Sequence, residues 1–242
     1  MKLTTFSRRL GATVIVLVAM AVAFITAMTL THVSVPSALR VTQPSPSIST
    51  TATLVSPPVL TAKKMSLVAP PVAVPVIVQI PSIHVSSHLL SVGMTAAHAM
   101  AAPEGGANSP YWADTFWYRG GSLPGAVGTA TIAGHIDNRY GSYAVFGHLS
   151  QLVRGDFIYL HFTRTGLTER FVVTASHAYT LAQTKTKAVL DLIYGTGPPA
   201  GKPATRSADG LAHLSLISCT GTWDYALGTH NERLVVSAVR IS

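Results

Sequence analysis

From Val78 to the C-terminus the chain is a series of short β-like runs cut apart by glycine, proline and polar turns. No other feature of the 242 residues limits the fold as much. The runs are VQIPSIHV (78–85), TATIAG (129–134), DFIYLHF (156–162), ERFVVTA (169–175), LAHLSLIS (211–218) and RLVVSAVRI (233–241). In the third, Phe157, Tyr159 and His161 alternate with Ile158, Leu160 and Phe162, the period of two expected of a strand with two different faces. Only KAVLDLIY, with Val189, Leu192 and Ile193 at helical spacing, predicts a helix, of two turns. Evenly spaced strands with little helix predict a mainly β domain, a barrel or a sandwich. Residues 78–242 are enough for one such domain with a single core.

The N-terminus predicts a different environment. Lys2, Arg8 and Arg9 (in residues 1–9) precede an uncharged apolar run from Leu10 to Leu30. A helix of that length, at about 1.5 Å per residue, spans roughly the 30 Å hydrocarbon core of a bilayer. The positive flank predicts a cytoplasmic start (1–9), a transmembrane anchor (10–30) and export of everything beyond. A cleaved signal peptide, with Ala21-Val22-Ala23 supplying the small residues, is the alternative; the run continues past Ala23, which favours the anchor. Residues 31–77 turn to Pro, Ser, Thr, Val and Ala, a composition expected of an extended extracellular tether.

The formal charge of +8 does not predict nucleic-acid binding. All nine acids lie from Glu104 onward, whereas Lys2, Arg8, Arg9, Arg40, Lys63 and Lys64 stand unbalanced before it. The excess belongs to the anchor and tether, where it orients insertion or meets anionic lipid.

Chemistry enters with Cys219, the only cysteine. It follows LAHLSLIS, at the expected end of a strand. A free cysteine is ordinarily a small buried hydrophobe, but an unpaired one in an exported chain is a candidate reactive thiol. A thiol needs a base, because little of it is thiolate at neutral pH. Ten histidines are available, so composition does not choose among them. Context favours His135, which closes TATIAGHID at another strand end. His177 and His230 read as loop residues. Arg233 opens the last β-like run, and a hairpin-like return would bring it beside Cys219, where a fixed cation could hold an oxyanion.

TIAGHID, VFGHLSQLVRGDFIYL, LSLISCTGTWD and ERLVVSA together resemble the sortases, cysteine transpeptidases of bacterial envelopes. The family's F-x-x-L-x-x-L-x-x-GD pattern is present as Phe146, Leu149, Leu152, Gly155 and Asp156. WYRGGSLPGAVGTATIAGHID and DLIYG are most similar to the class F or class E branches. The resemblance implies an eight-stranded β-barrel with short helices over 78–242. It also implies Cys219 as nucleophile, His135 as general acid/base and Arg233 as the cation holding the oxyanion or substrate, with no cofactor or metal. It implies cleavage of an LPxTG-like sorting signal through a thioacyl intermediate, resolved by an amine of the cell wall or of a pilin. Two departures stand out: Ser218 replaces the threonine common before the cysteine, and Arg233 lies fourteen residues after Cys219.

Other motifs carry less. GTGPPAGKP (195–203) imitates a phosphate loop but has Thr196 and Pro203 where glycine and a magnesium-holding hydroxyl belong. The HID at 135–137 lacks partners at metal-ligand spacing. Trp117, Tyr118 and Trp223 read as core or cleft lining. The rival functions are an exported Cys/His peptidase resolved by water, an L,D-transpeptidase, and a non-catalytic membrane-tethered scaffold with Cys219 buried.

Overall fold

The computed structural model describes residues 69–196 and 207–241. The expected anchor, most of the tether, and most of GTGPPAGKP lie outside the described residues. Eight strands run in the order β1 (Val72–Ile80), β2 (Val85–Val92), β3 (Thr115–Tyr118), β4 (Gly128–Ala133), β5 (Phe157–Phe162), β6 (Thr168–Thr180), β7 (Ala212–Asp224) and β8 (Thr229–Ile241). They close into a barrel in the spatial order β1-β2-β3-β4-β7-β8-β6-β5, with β5 pairing back onto β1. One short helix, α1 (Lys187–Tyr194), lies between β6 and β7. Closure removes the unpaired edges that an open sheet would expose.

Alternation decides what fills the barrel. On β5 the even positions Ile158 and Leu160 are fully buried while Phe157 is exposed, as the period of two predicts. Ala130 and Ile132 on β4, Leu214 and Leu216 on β7, and Leu234, Val236 and Ala238 on β8 join the same core. The F-x-x-L-x-x-L element plugs it: Phe146, Leu149 and Leu152 are all buried. Gly155 after them takes φ 100°, where a side chain would be strained, and the Asp156 carboxylate accepts from the Val153 amide at 2.9 Å. Helix α1 buries Val189 and Ile193 on the outside of the barrel against Val235, with Ile217 beside them. Leu192, expected on the same face, is 46% exposed, because a helix this short presents only one narrow stripe.

Several boundaries differ from expectation. The barrel begins at Val72, inside the stretch assigned to the tether. Pro75 had argued against a strand there; the ladder tolerates it through an irregularity in register between Val74 and Ile77. The run 78–85 is two strands with a tight turn at Pro81–Ile83, closed by His84 in the left-handed region. Strand β3 was not foreseen: all four of its residues are buried, so TFWY has no alternation to read. His177 and His230 lie within β6 and β8, not in loops. Cys219 lies inside β7, which continues to Asp224 because β8 pairs with it beyond the cysteine.

Candidate active site

Two pairings, one parallel and one antiparallel, bring distant parts of the sequence level with one another. Strand β4 runs parallel to β7, with Ala133 opposite Ile217, and the Gly134 amide continues the ladder by donating to the Ile217 carbonyl at 3.1 Å. His135 and Cys219 each stand two residues beyond that pair. They therefore occupy the same level, on strands spaced about 4.8 Å apart. On the other side of β7, Cys219 pairs in register with Arg233 of β8. The register thus carries His135, two residues past the end of β4, into a row with Cys219 of β7 and Arg233 of β8. Their neighbours Gly134, Ser218 and Leu234 face the core, so by alternation the row lies on the outer surface of the barrel.

The row is braced from beneath. The buried Ser218 hydroxyl donates to the Gly134 carbonyl at 2.9 Å, tying the residue before the cysteine to the residue before the histidine. Gly134 has no room for a side chain: a Cβ there would meet the Phe146 ring at 2.6 Å. The Phe146 amide also donates to the His135 carbonyl at 2.9 Å. This accounts for both the AGH sequence and the phenylalanine that follows it.

Around the imidazole of His135, Trp112 lies at a ring-centroid distance of 4.9 Å and Phe116 edge-on at 5.6 Å. Trp112 belongs to the connection between β2 and β3, and Phe116 to β3 itself. The same connection crosses the site. Nε2 of His135 lies 2.9 Å from the Pro103 carbonyl, which only accepts, so Nε2 carries the ring proton in this arrangement. Glu104 pairs with Arg139 at 2.9 Å, and the Trp112 indole donates to the Gly106 carbonyl at 2.8 Å. A strap from Pro103 to Gly106 is thereby pinned beside the histidine.

Cys219 is partly buried. Burial pushes its thiol above the ordinary range. The Arg233 guanidinium and a hydrogen bond from the Thr229 hydroxyl pull it back down, while the Asp137 and Glu104 carboxylates add to the rise. Ionisation of the sulfur therefore depends on the cation beside it. Arg233 is itself held: Nη1 donates to the His230 and Glu232 carbonyls, both at 2.8 Å, and Nη2 donates to Thr229 Oγ1 at 3.0 Å. A guanidinium has five N–H groups, so donors remain for a substrate carbonyl.

Thr229, Asp137, Trp112 and the Pro103–Glu104 strap were not assigned roles from the sequence. No spacing rule could have found them, since only the strand pairing brings them to the row. Trp117 and Tyr118 are core residues, whereas Trp223 is 47% exposed at the β7–β8 hairpin. A shallow recess of about 310 Å³, lined in part by Thr129, Asp191, Asp209 and His213, lies toward the opposite end of β7 and holds none of the row.

A family model described as a sortase domain matches residues 78–241. No curated protein matches the chain. Among solved structures, the chain is similar to a lid mutant of sortase A from Corynebacterium diphtheriae. The identity is 22%, over 73% of this chain and 74% of that one, with a TM-score of 0.45. For sortase C-1 from Actinomyces oris the figures are 21%, 69%, 73% and 0.46. For a sortase D5 transpeptidase from Clostridium perfringens they are 17%, 69%, 78% and 0.45.

Proposed function

The chain belongs to the sortase family of cysteine transpeptidases, and on that premise we propose that it cuts an LPxTG-like sorting signal and joins the released acyl group to an envelope amine. The observation that carries the reading is the row itself: Cys219 stands between His135 on a parallel neighbour and Arg233 on an antiparallel one.

Cys219 loses its proton to His135 and attacks the carbonyl carbon of the signal's Thr–Gly bond. Spare N–H groups of Arg233 stabilise the oxyanion that develops, an effect worth a few kcal/mol in comparable sites. His135 then gives its proton to the departing glycine amine. The C–N bond breaks and a thioester on Cys219 remains. An amine from the cell wall or from a pilin lysine attacks the thioester, loses its proton to His135 and displaces the sulfur, which returns to the thiol form. The residues of the row act without a cofactor in this scheme. Lys2, Arg8 and Arg9 ahead of the apolar run support a membrane anchor at 10–30, which would hold the barrel outside the cell where such signals are presented.

The test is cleavage of an LPxTG peptide with and without added oligoglycine. Formation of the new amide, with turnover rising as amine is added, supports transpeptidation. Cleavage indifferent to amine makes the protein a peptidase, and no cleavage with intact, alkylatable Cys219 removes this substrate class.

A further inference from the structure

A second histidine–carboxylate pair sits beside the row and is used by none of the steps above. His230 Nε2 lies 3.2 Å from Asp137 Oδ2, and its Nδ1 lies 3.2 Å from the Gly221 carbonyl. The ring thus touches an oxygen at each of its two nitrogens, one on each side. The Trp223 ring stands edge-on to the imidazole at 5.3 Å. The His230 side chain is only 13% exposed and that of Asp137 35%, so water screens this pair less than the outer ion pairs.

What the pair connects matters more than its strength. Asp137 is two residues beyond His135, on the segment leaving β4. His230 lies on β8, three residues before Arg233, and its backbone carbonyl is one of the acceptors that hold the Arg233 guanidinium. Gly221, which receives the other ring nitrogen, takes φ 79° within the interruption in register between Thr220 and Trp223. The β7–β8 ladder is therefore irregular just past the cysteine, and the His230 ring closes that gap while reaching across to β4.

The geometry points to Asp137 and His230 as positioning residues: their side-chain contact locks the β7–β8 hairpin to the end of β4 and so fixes Arg233 relative to Cys219 and His135. This rests on the reading of the row given above. The pair touches no reacting atom; it acts through Arg233 and through the His135 segment. Asp137 also faces the sulfur, where its carboxylate disfavours the thiolate.

The contact is tested by readouts that a merely structural role would not move. Asp137→Ala, His230→Ala, the double variant and Asp137→Asn are assayed in the full chain, alongside Cys219→Ala, for peptide transpeptidation and for iodoacetamide alkylation of Cys219. Misplacement of a catalytic group by about 1 Å can cost up to 100-fold. Each single alanine variant is therefore expected to lose roughly 10- to 100-fold in kcat with KM within about twofold. The double variant should be no worse than the poorer single one, because the two side chains act as a unit. Asp137→Asn, which keeps an acceptor for His230, should recover most of the rate. Alkylation should be faster in Asp137→Ala, which removes a carboxylate that disfavours the thiolate. Unchanged kcat in both single variants, additive losses in the double, or alkylation no faster in Asp137→Ala would overturn the positioning role. Activity surviving in Cys219→Ala would instead overturn the reading of the row, so the two failures are distinguishable. Thermal melts identify any variant that has lost the fold, and for such a variant the alkylation comparison is repeated with Asp137→Asn and His230→Gln.

Discussion

Replacing Arg233 by methionine keeps the length and apolar stem of the side chain and removes its charge. Cys219 and Arg233 are direct partners across β7 and β8, which places their Cβ atoms about 5 Å apart. A unit charge about 6 Å from the sulfur, at an effective dielectric near 20, is worth roughly 2.8 kcal/mol. Cys219 is only partly buried, so solvent removes more than half of that, and about 1 kcal/mol remains. Since 1.36 kcal/mol corresponds to one pKa unit, the thiol should rise by somewhat under a unit, with about fivefold less thiolate at any pH below its midpoint. The sign follows from the surroundings: burial already raises the group and Arg233 opposes that rise, so removing the cation moves ionisation to still higher pH. The assay is the pH dependence of Cys219 alkylation. Arg233→Lys should lie near the parent curve, because it keeps the charge, yet should fail in transpeptidation, because it loses the planar fork of donors. Superimposable alkylation curves for the parent and Arg233→Met would refute the electrostatic role.

Three further outcomes follow from the contacts around the row. Glu104→Gln should speed alkylation a few-fold, since it removes an exposed ion pair worth at most about 1 kcal/mol and a carboxylate that disfavours the thiolate; an unchanged rate would mean that the strap does not govern access. Gly134→Ala should destabilise the domain by roughly 1–3 kcal/mol through overpacking against Phe146, read as a fall in Tm and a proportionate loss of activity. Ser218→Ala removes a buried hydrogen bond to the Gly134 carbonyl and should cost about 1–2 kcal/mol of stability; a neutral melt would show that the tie between β4 and β7 lies elsewhere.

The sequence was informative where one face of a strand meets the core and the other does not. Strand β5 announces itself this way, and the histidine, cysteine and arginine were found because each sits beside a β-like run. Elements buried on every side were silent, as β3 shows. Pro75 misled because proline is normally excluded from a ladder, and a local slip in register was needed to admit it. The cysteine was expected at a strand end, yet the pairing with β8 extends β7 past it. That extension is what sets Arg233 directly opposite the sulfur. Asp137 and His230 had no legible signal, because their significance depends on pairing between segments about 90 residues apart, which topology alone supplies.

Mass spectrometry of the protein mixed with an LPxTG peptide, quenched in acid before an amine is added, tests the account most directly. The expected product is the parent mass plus the acyl fragment ending in threonine, carried as a hydroxylamine-labile thioester on Cys219 and absent from Cys219→Ala. A correctly folded protein whose peptide is cleaved with no adduct on that sulfur, or with the acyl group attached elsewhere, would contradict it.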